Sequence, residues 1–151
     1  MRFNLNWLSI AALTSVASIA SAQGDFCAEA SRFGDVTVSP PTLSPGKSFT
    51  IVANLTCAIH LGYTPTFLDY YIDAVARHTV SGPILIARRT YNQSTSPPMD
   101  KVTAVLPHWT YYKDAEYSLR MDNSFARPGG RPGETVITVG GILTPINITG
   151  F

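Results

Sequence analysis

The chain has 151 residues, of which 11 are Lys or Arg and 10 are Asp or Glu, so that only 14% of the residues are charged. Its formal net charge is +1, and the sequence has neither a basic stripe nor an acidic tail. It therefore lacks the charge pattern that is typical of proteins that bind nucleic acid or attach to a charged membrane surface. We therefore predict that nucleic acid is not a partner of this protein.

Residues 1–22 have the pattern of a secretory signal peptide. Arg2 precedes an apolar stretch that ends at Ala20-Ser21-Ala22, which is a small-x-small cleavage pattern. The apolar stretch is shorter than the roughly 20 residues that a membrane-spanning helix needs. We predict cleavage before Gln23, secretion to the extracellular space and no transmembrane segment after cleavage; a signal anchor is the alternative.

Residues 23–151 have the length of a single domain with one hydrophobic core. The two cysteines of the chain are Cys27 and Cys57, and an even count in an oxidising compartment predicts a disulfide between them. Closing a loop of about thirty residues contributes about 3–4 kcal/mol in the chain-entropy model. Two free thiols are the alternative.

Three N-x-[ST] sequons begin at Asn54, Asn92 and Asn147. Attachment of an N-linked glycan requires a surface position, so we predict that these three side chains are exposed and that the protein is a glycoprotein. Asn147 lies close to the last residue, where modification is less frequent.

Segments rich in β-branched and aromatic residues alternate with turn residues about every ten positions, and no segment after residue 22 shows a helical period. This pattern is typical of an all-β sandwich or barrel. The seven predicted strands are DVTVSPP (35–41), KSFTIVANLTC (47–57), FLDYYIDAVAR (67–77), GPILIARRTY (82–91), DKVTAVLP (100–107), EYSLRMD (116–122) and ETVITVGGILTPINI (134–148). NQSTSPPMD (92–100) and NSFARPGGRPGE (123–134) are the predicted long loops.

Alternation within two of these segments predicts which side chains face the core. In KSFTIVANLTC the inward residues are Phe49, Ile51, Ala53, Leu55 and Cys57. In FLDYYIDAVAR the inward residues are Leu68, Tyr70, Ile72, Ala74 and Ala76, and the outward residues are Asp69, Tyr71, Asp73 and Arg77. One register thus places Asn54 outward and Cys57 inward, which satisfies the sequon and the disulfide together. We expect Gly140-Gly141 to form a bulge or bend in the last strand.

The order Asp114-Ala115-x-Tyr117-x-Leu119 resembles the D-x-A/G-x-Y-x-C element at the start of strand F in immunoglobulin-type domains, with Leu119 at the cysteine position. The resemblance implies a seven-stranded antiparallel immunoglobulin/fibronectin-III-like β-sandwich. It also implies that Tyr117 is the corner tyrosine, with its ring in the core and its hydroxyl bonded to nearby backbone.

A broader resemblance covers Pro45-Gly46-Lys47-Ser48-Phe49-Thr50 and the stretch from Val102 to Arg120. These residues fit the outline of the immunoglobulin/fibronectin-III-like domains of secreted fungal proteins, including the N-terminal domain of yeast cell-wall β-glucan assembly proteins. The Trp often found in the second strand of that family is absent here. The resemblance implies a fungal secretory origin and carries no catalytic activity with it.

Two groups of residues are predicted to form the contact surface. Trp109, Tyr111 and Tyr112 precede the corner and form either a plug at one end of the sandwich or an aromatic platform for a sugar or a peptide. Arg127 and Arg131 lie in a loop rich in Pro and Gly, where recognition residues are common and a flexible hairpin is the alternative. A sandwich can place these two loops at opposite ends.

We predict a non-catalytic, extracellular or cell-wall-associated binding module for a cell-wall polysaccharide or an extracellular protein, such as the protein of a host. No cofactor is expected. No metal site is expected either, because His60, His78 and His108 lack the spacing of metal ligands.

Two alternatives remain open. FGDVTVSPPTLSPGKSFTI is similar to the opening of the sterol/phospholipid-binding sandwich family, which implies a lipid carrier with a cavity between its sheets. A secreted hydrolase would have to use carboxylates such as Asp69 and Asp73. On a bare strand the Cα atoms of these two residues are roughly 13 Å apart, whereas the carboxyl groups of a retaining glycosidase are about 5–5.5 Å apart.

Overall fold

The computed structural model describes residues 27–75 and 82–151. The predicted signal peptide, the expected start at Gln23, and Ala76, Arg77 and His78 lie outside the described residues. Within the described residues the chain forms eight strands, one α-helix and one turn of 3-10 helix (Glu29–Ser31). Neither helix is long and apolar enough to span a bilayer.

The chain-order elements are β1 (Asp35–Ser39), β2 (Thr42–Leu43), β3 (Ser48–Asn54), α1 (Thr56–His60), β4 (Pro65–Val75), β5 (Ile84–Thr90), β6 (Met99–Val105), β7 (Glu116–Pro128) and β8 (Thr135–Ile148). A three-stranded sheet has the order β1-β3-β6, and a five-stranded sheet has the order β2-β8-β7-β4-β5. All neighbours are antiparallel except β2 and β8, which are parallel. The all-β, sandwich-like architecture follows the prediction.

The described strands number eight because the chain changes sheets near its beginning. β1 pairs with β3 until Ser39, and the two following residues are prolines, which have no N–H group to donate to a ladder. Thr42 and Leu43 then pair with the end of β8 in the other sheet. β2 therefore lies beyond the predicted first strand (35–41), and its two residues are too few to show an alternation of their own.

The core lies between the two sheets. Residues predicted to face inward in segments 47–57 and 67–77 are confirmed where the structure buries them, namely Phe49, Ile51, Ala53, Leu55, Leu68, Tyr70 and Ile72. β7 contributes Leu119 and Met121 to the same cluster, and the loop after β6 contributes Leu106. The small exposed fractions of these side chains confirm the inner faces that the period-two alternation predicts.

The disulfide between Cys27 and Cys57 is confirmed, with 5.4 Å between their Cα atoms. The prediction that Cys57 lies on the inward face of a strand is wrong, because β3 ends at Asn54 and Cys57 lies in α1. The Oδ1 atom of Asn54 accepts hydrogen bonds from the backbone N and the Oγ1 of Thr56, at 3.0 and 2.7 Å. This local turn competes with continuation of the strand and starts the helix.

Gly140 and Gly141 do not form the expected bulge, since both continue the register of β8 with β7. The glycines instead permit close approach: a β-carbon at position 140 would overlap the ring of Phe33, and one at position 141 would lie 2.6 Å from Asp122 Oδ1. The register of the five-stranded sheet shifts instead between β4 and β5, where Ile86 of β5 has no partner, and between β4 and β7, where Thr66 of β4 has none.

β7 is six residues longer than predicted and takes up the first half of the expected loop 123–134. Asn123 and Phe125 continue the buried positions of β7, so that the hairpin loop between β7 and β8 begins only after Pro128. The ring of Phe125 lies within 6.0 Å of the Phe33 ring and 5.0 Å of the Tyr63 ring, measured between centroids. This aromatic contact extends the core beneath a segment whose Pro and Gly content indicated a loop.

A buried polar contact joins the two sheets. The hydroxyl of Tyr70 in β4 donates to Asp100 Oδ2 in β6 at 2.9 Å, and Arg89 of β5 donates to Asp100 Oδ1 at 3.1 Å. Burial, followed by the nearby Asp100 carboxylate, raises the pKa of Tyr70 well above its ordinary value, which keeps the hydroxyl protonated as a donor. The contact satisfies a carboxylate that would otherwise be buried without a partner.

Candidate functional site

Three large apolar side chains lie exposed on one face of β8. Ile137, Val139 and Leu143 are 59%, 62% and 63% exposed, and we call them the apolar row. Their partners on β7 are Ala126, Ser124 and Arg120, which point away from the core. Because directly opposite residues of paired strands share a face, the apolar row belongs to the outer face of the five-stranded sheet.

Charged side chains occupy the centre of this outer face. Arg88 of β5 donates two hydrogen bonds to Asp69 of β4, each of 2.7 Å, and Arg120 of β7 lies 2.8 Å from Asp73 Oδ2. The Nε atom of Arg120 is also 3.2 Å from Asp122 Oδ1, an ion-pair distance without hydrogen-bond geometry. We call these five residues the Asp/Arg network.

The two carboxyl groups of the network with shifted pKa values differ in the direction of the shift. The hydrogen bonds from Arg88 lower the pKa of Asp69, and this effect outweighs the opposing effect of burial. Burial raises the pKa of Asp122, and the carboxylates of Asp73 and Asp69 add to that rise against the attraction of Arg120. The outer face therefore carries three carboxylates around two guanidinium groups.

The alternation in β4 predicts that Asp69 points outward, either solvated or paired with Arg77, Arg88 or Arg89. It does lie on the outer face, but it is only 6% exposed because Arg88 covers it and the Tyr71 hydroxyl lies 3.4 Å from its Oδ2. The hydrolase alternative would have to use carboxylates such as Asp69 and Asp73, and the structure gives each of these two an arginine partner of its own. Both are ion-paired carboxylates in a sheet face.

A depression of about 180 Å³ lies beside the network, lined by Phe67, Asp69, Arg88 and Ser124. Phe67 is 42% exposed and adjoins Ser124 across the sheet, which in turn adjoins Val139 of the apolar row. Apolar side chains thus border the charged centre along β8 and at Phe67. This arrangement combines apolar contact area with fixed donors and acceptors.

The predicted aromatic platform is not assembled. Trp109 is 63% exposed and borders a shallow depression with Pro83 and Ile84, but Tyr111 is only 8% exposed. The Tyr111 hydroxyl donates to the backbone oxygen of Pro107 at 2.8 Å, and burial raises the pKa of Tyr111 to about 12. Tyr111 therefore belongs to the core, as the plug interpretation had it, because its ring packs edge-on against Tyr117.

Tyr117 is buried at the start of β7, and its hydroxyl bonds twice to the backbone of Tyr112. It accepts from the Tyr112 N–H at 2.6 Å and donates to the Tyr112 oxygen at 3.2 Å. The backbone of Tyr112 is thereby held in the loop, and the residue is half-buried. Of the three predicted platform residues, Trp109 alone presents most of its ring to solvent.

The predicted arginines lie at the far end of the same strand. Arg127 is near the end of β7 and stacks over the ring of Tyr63 at 5.6 Å, while Arg131 lies in the following hairpin loop. The loop is closed by Glu134, whose side chain accepts from the backbone N of Arg131 at 3.1 Å. Since β7 rises about 3.3 Å per residue, its two ends are roughly 40 Å apart. Trp109 and the two arginines do not share a surface.

All three sequon asparagines are exposed. Asn92 accepts hydrogen bonds from the backbone and the hydroxyl of Ser94, as Asn54 does from Thr56. Asn147 lies in β8 opposite Thr42 of β2. The three positions satisfy the steric requirement for N-glycosylation.

Sequence reasoning does not find the apolar row, because it assigns TVITVGGIL to a strand without deciding which alternate positions face the core. The signal is present in the segment: both odd and even positions carry large apolar residues, for example Ile137 and Ile142. A strand of a two-layer sandwich has one inner face only, so one of the two sets has to point outward.

Neither a protein-family model nor a curated protein sequence matches the chain. Within residues 27–75 and 82–151, no group of three or more His, Cys, Asp or Glu side chains is arranged to hold a metal ion.

Proposed function

We propose that this chain is a secreted, non-catalytic binding module that contacts an extracellular or cell-wall-associated protein through the outer face of its five-stranded sheet. The observation that carries this proposal is the apolar row of Ile137, Val139 and Leu143. Contiguous apolar area on a sheet face that is rimmed by polar residues is typical of a protein-interaction surface.

The strand orders β1-β3-β6 and β2-β8-β7-β4-β5 support an immunoglobulin/fibronectin-III-like sandwich, with the short β2 as an addition to the seven expected strands. The bonds from the Tyr117 hydroxyl to the backbone of Tyr112 support the corner role of this tyrosine. In such a fold no helix covers the outer faces of the sheets, so an apolar outer face is available for a partner.

The Asp/Arg network supports a protein as the ligand. Arg88 is paired with Asp69 and is still largely exposed, so a partner can approach the guanidinium group without separating it from the carboxylate. A pre-formed network adds specificity, because a partner has to match its pattern of donors and acceptors. The apolar row next to it supplies the area that a charged surface alone lacks.

A polysaccharide and a lipid are less well supported. Sugar rings stack on exposed aromatic faces, and Trp109 is the one member of the predicted platform that offers such a face. A lipid needs a cavity between the sheets, and that region is packed with fully buried side chains such as Ile51, Leu68, Tyr70 and Leu119. The disulfide is compatible with an extracellular location.

A photo-crosslinking amino acid at position 67 tests the proposal, because Phe67 lies on the outer face beside the depression. The matched control carries the same amino acid in place of Val105, which is exposed at the end of β6 in the other sheet. We expect adducts with an extracellular protein of the producing organism from position 67 and not from position 105. We also expect Leu143→Lys to abolish them.

Equal adduct formation from the two positions, or none from position 67, would contradict the proposal. Polysaccharide sedimentation with the wild-type protein and Trp109→Ala runs in parallel. Co-sedimentation that depends on Trp109 would favour a carbohydrate ligand instead.

A further inference from the structure

The edge of β8 that faces away from β7 is unpaired over most of its length. Among the described strands, β7 alone pairs with β8 between Thr135 and Ile146, and β2 covers only the last two residues. Near that end, Thr144 Oγ1 also donates to the backbone oxygen of Val36 in β1, at 3.2 Å. β1 thus lies beside β8 without pairing to it. Among the described strands, the edge of β8 without a backbone partner runs from Thr135 to Leu143.

This edge lacks the protection that sheet edges usually have. The segment TVITVGGIL contains no charged residue and no proline, and its register with β7 is continuous, without a bulge. Soluble proteins commonly place Lys, Pro or a bulge on an exposed edge strand, because an unprotected edge pairs with other chains. The apolar row adds three exposed side chains to the same segment.

The direction of the backbone groups follows from the end of the strand. The N–H of Asn147 donates to the oxygen of Pro41, on the edge side of β8. Backbone groups of alternate residues point to the same side of a strand, so the N–H groups of Leu143, Gly141, Val139 and Ile137 also point to the edge. These are the apolar row and one glycine between its members.

We infer that a second copy of this chain pairs with this edge, β8 against β8, antiparallel about a two-fold axis near Gly140. In this register Ile137 of one copy lies opposite Leu143 of the other, and Val139 lies opposite Gly141. All four residues have edge-facing N–H and C=O groups, so each opposite pair exchanges two hydrogen bonds. Gly141 has no side chain to oppose Val139.

Charge supports the self-association. The two-fold axis places two copies of the same strand side by side, so a charge near the axis would lie close to its own copy and repel it. The segment TVITVGGIL carries no charge. With the axis at Gly140, the symmetric pairing covers the seven residues 137–143, a length of roughly 23 Å. Such an edge contact is smaller than the about 800 Å² per partner of a standard interface, so the dimer is expected to be weak, with a dissociation constant in the micromolar range.

The two-fold axis of an antiparallel edge pairing is perpendicular to the sheet, which leaves both outer faces on the same side. The two five-stranded sheets become one sheet of ten strands, with both apolar rows adjacent at its centre. This consequence rests on the proposed function: the dimer would present the partner with two copies of the contact surface, side by side. Bivalent presentation strengthens binding without any new contact within one copy.

Sedimentation velocity of the full chain, expressed through a secretory pathway and measured from about 1 to 500 μM, tests the inference. We expect a concentration-dependent dimer for the wild type and a monomer for Val139→Lys, which puts like charges close to the axis. The control Val105→Lys makes the same change at an exposed valine of the other sheet and should dimerise as the wild type does. Both variants should keep the thermal midpoint of the monomer.

Hydrogen exchange separates edge pairing from packing of the outer faces. The amides of Ile137, Val139 and Gly141 should exchange at least ten-fold more slowly at the highest concentration than at the lowest. A monomer at all concentrations, a dimer that survives Val139→Lys, or exchange of these amides that is independent of concentration would overturn the inference. Crosslinking from position 67 reports on the proposed function separately, because Phe67 lies two strands away from the edge.

Discussion

Asp69 and Asp122 lie on neighbouring strands of the same sheet face, yet their pKa values shift in opposite directions. The difference comes from their partners. Asp69 accepts two hydrogen bonds from Arg88. Arg120 lies between Asp122 and Asp73, and its attraction does not offset the effect of burial on the pKa of Asp122. Single side-chain contacts therefore determine how stability depends on pH.

Stability is expected to pass through a maximum in mildly acidic solution. The pKa of Asp122 is raised in the folded chain, so the folded state binds a proton that the unfolded state does not, and stability falls as pH rises from about 4 through that folded pKa. The pKa of Asp69 is lowered, so its contribution is present above about 4 and is lost as pH falls through its folded pKa.

Urea unfolding at a series of pH values measures this dependence. Asp122→Asn should remove the decline on the neutral side of the maximum, and Asp69→Asn should reduce the decline on the acidic side. Asp114→Asn changes an exposed carboxyl group in the loop before β7 and is the control. A neutral-side decline that persists in Asp122→Asn would show that another group causes it.

Tyr117→Phe is expected to lower the free energy of unfolding by about 1–2 kcal/mol, because the Tyr112 N–H and oxygen lose their shared partner. The control Tyr91→Phe also removes a hydroxyl from a buried ring, but that hydroxyl lies 3.3 Å from the side chain of Thr95 and bonds to no backbone group. Denaturant midpoints measured by circular dichroism would contradict the corner role if the two variants lost equal stability.

At the scale of the element, β8 is defined by what lies on each of its faces. Gly140 provides space for the ring of Phe33 on the inner face, and the apolar row occupies the outer face. The Phe33 ring also packs against Tyr63 at 5.3 Å, so that it cannot move away without loss of another contact. The strand is thus held by a contact that its own sequence pattern does not reveal.

Gly140→Ala is expected to destabilise the fold by about 1–3 kcal/mol, the usual cost of overpacking a filled site. Gly130→Ala is the matched control, since a β-carbon there meets nothing within 4 Å. The cost at position 140 should shrink in a Phe33→Ala background, which a double-mutant cycle measured by thermal unfolding would detect. A cost independent of Phe33 would mean that the backbone, and not the ring, requires glycine.

At the scale of the whole molecule, the disulfide ties the segment before β1 to α1, across a separation of 30 residues. The double variant Cys27→Ala/Cys57→Ala should lower the free energy of unfolding by about 3–4 kcal/mol, because the unfolded chain regains the conformational entropy that the closed loop removes. Unfolding of the oxidised protein and of the double variant in urea gives the difference. A loss below about 1 kcal/mol would indicate that the loop is already ordered without the bond.

Much of the fold is predictable because it depends on local periodicity. The alternation in SFTIVAN and in the FLDYYI part of β4 identifies the inner face of each strand, and Leu119 and Met121 continue it in β7. The short β2 and α1 escape prediction, since two and five residues are too few to show a period. Phe125 escapes for another reason: prolines and glycines follow it closely, although its ring is buried.

The candidate site is less predictable than the fold. Trp109 and Tyr111 look alike in the sequence, yet one is exposed and the other is buried with its hydroxyl bonded to Pro107. Exposure of an aromatic side chain in a loop depends on how the loop folds back on the sandwich end. The apolar row is a different case. Its apolar residues are visible in the sequence, and only the face of β8 to which they point is not.

The sequence by itself determined the all-β character of this protein, most strand positions and the partners of the disulfide, because period two and an even cysteine count are local or compositional properties. Only the tertiary structure decided that Asp69 pairs with Arg88, 19 residues away, and that Tyr70 bonds to Asp100, 30 residues away. It also decided which face of β8 is exposed. These outcomes depend on strand order and on register across the sheets, and a one-residue change of register exchanges the two faces of a strand.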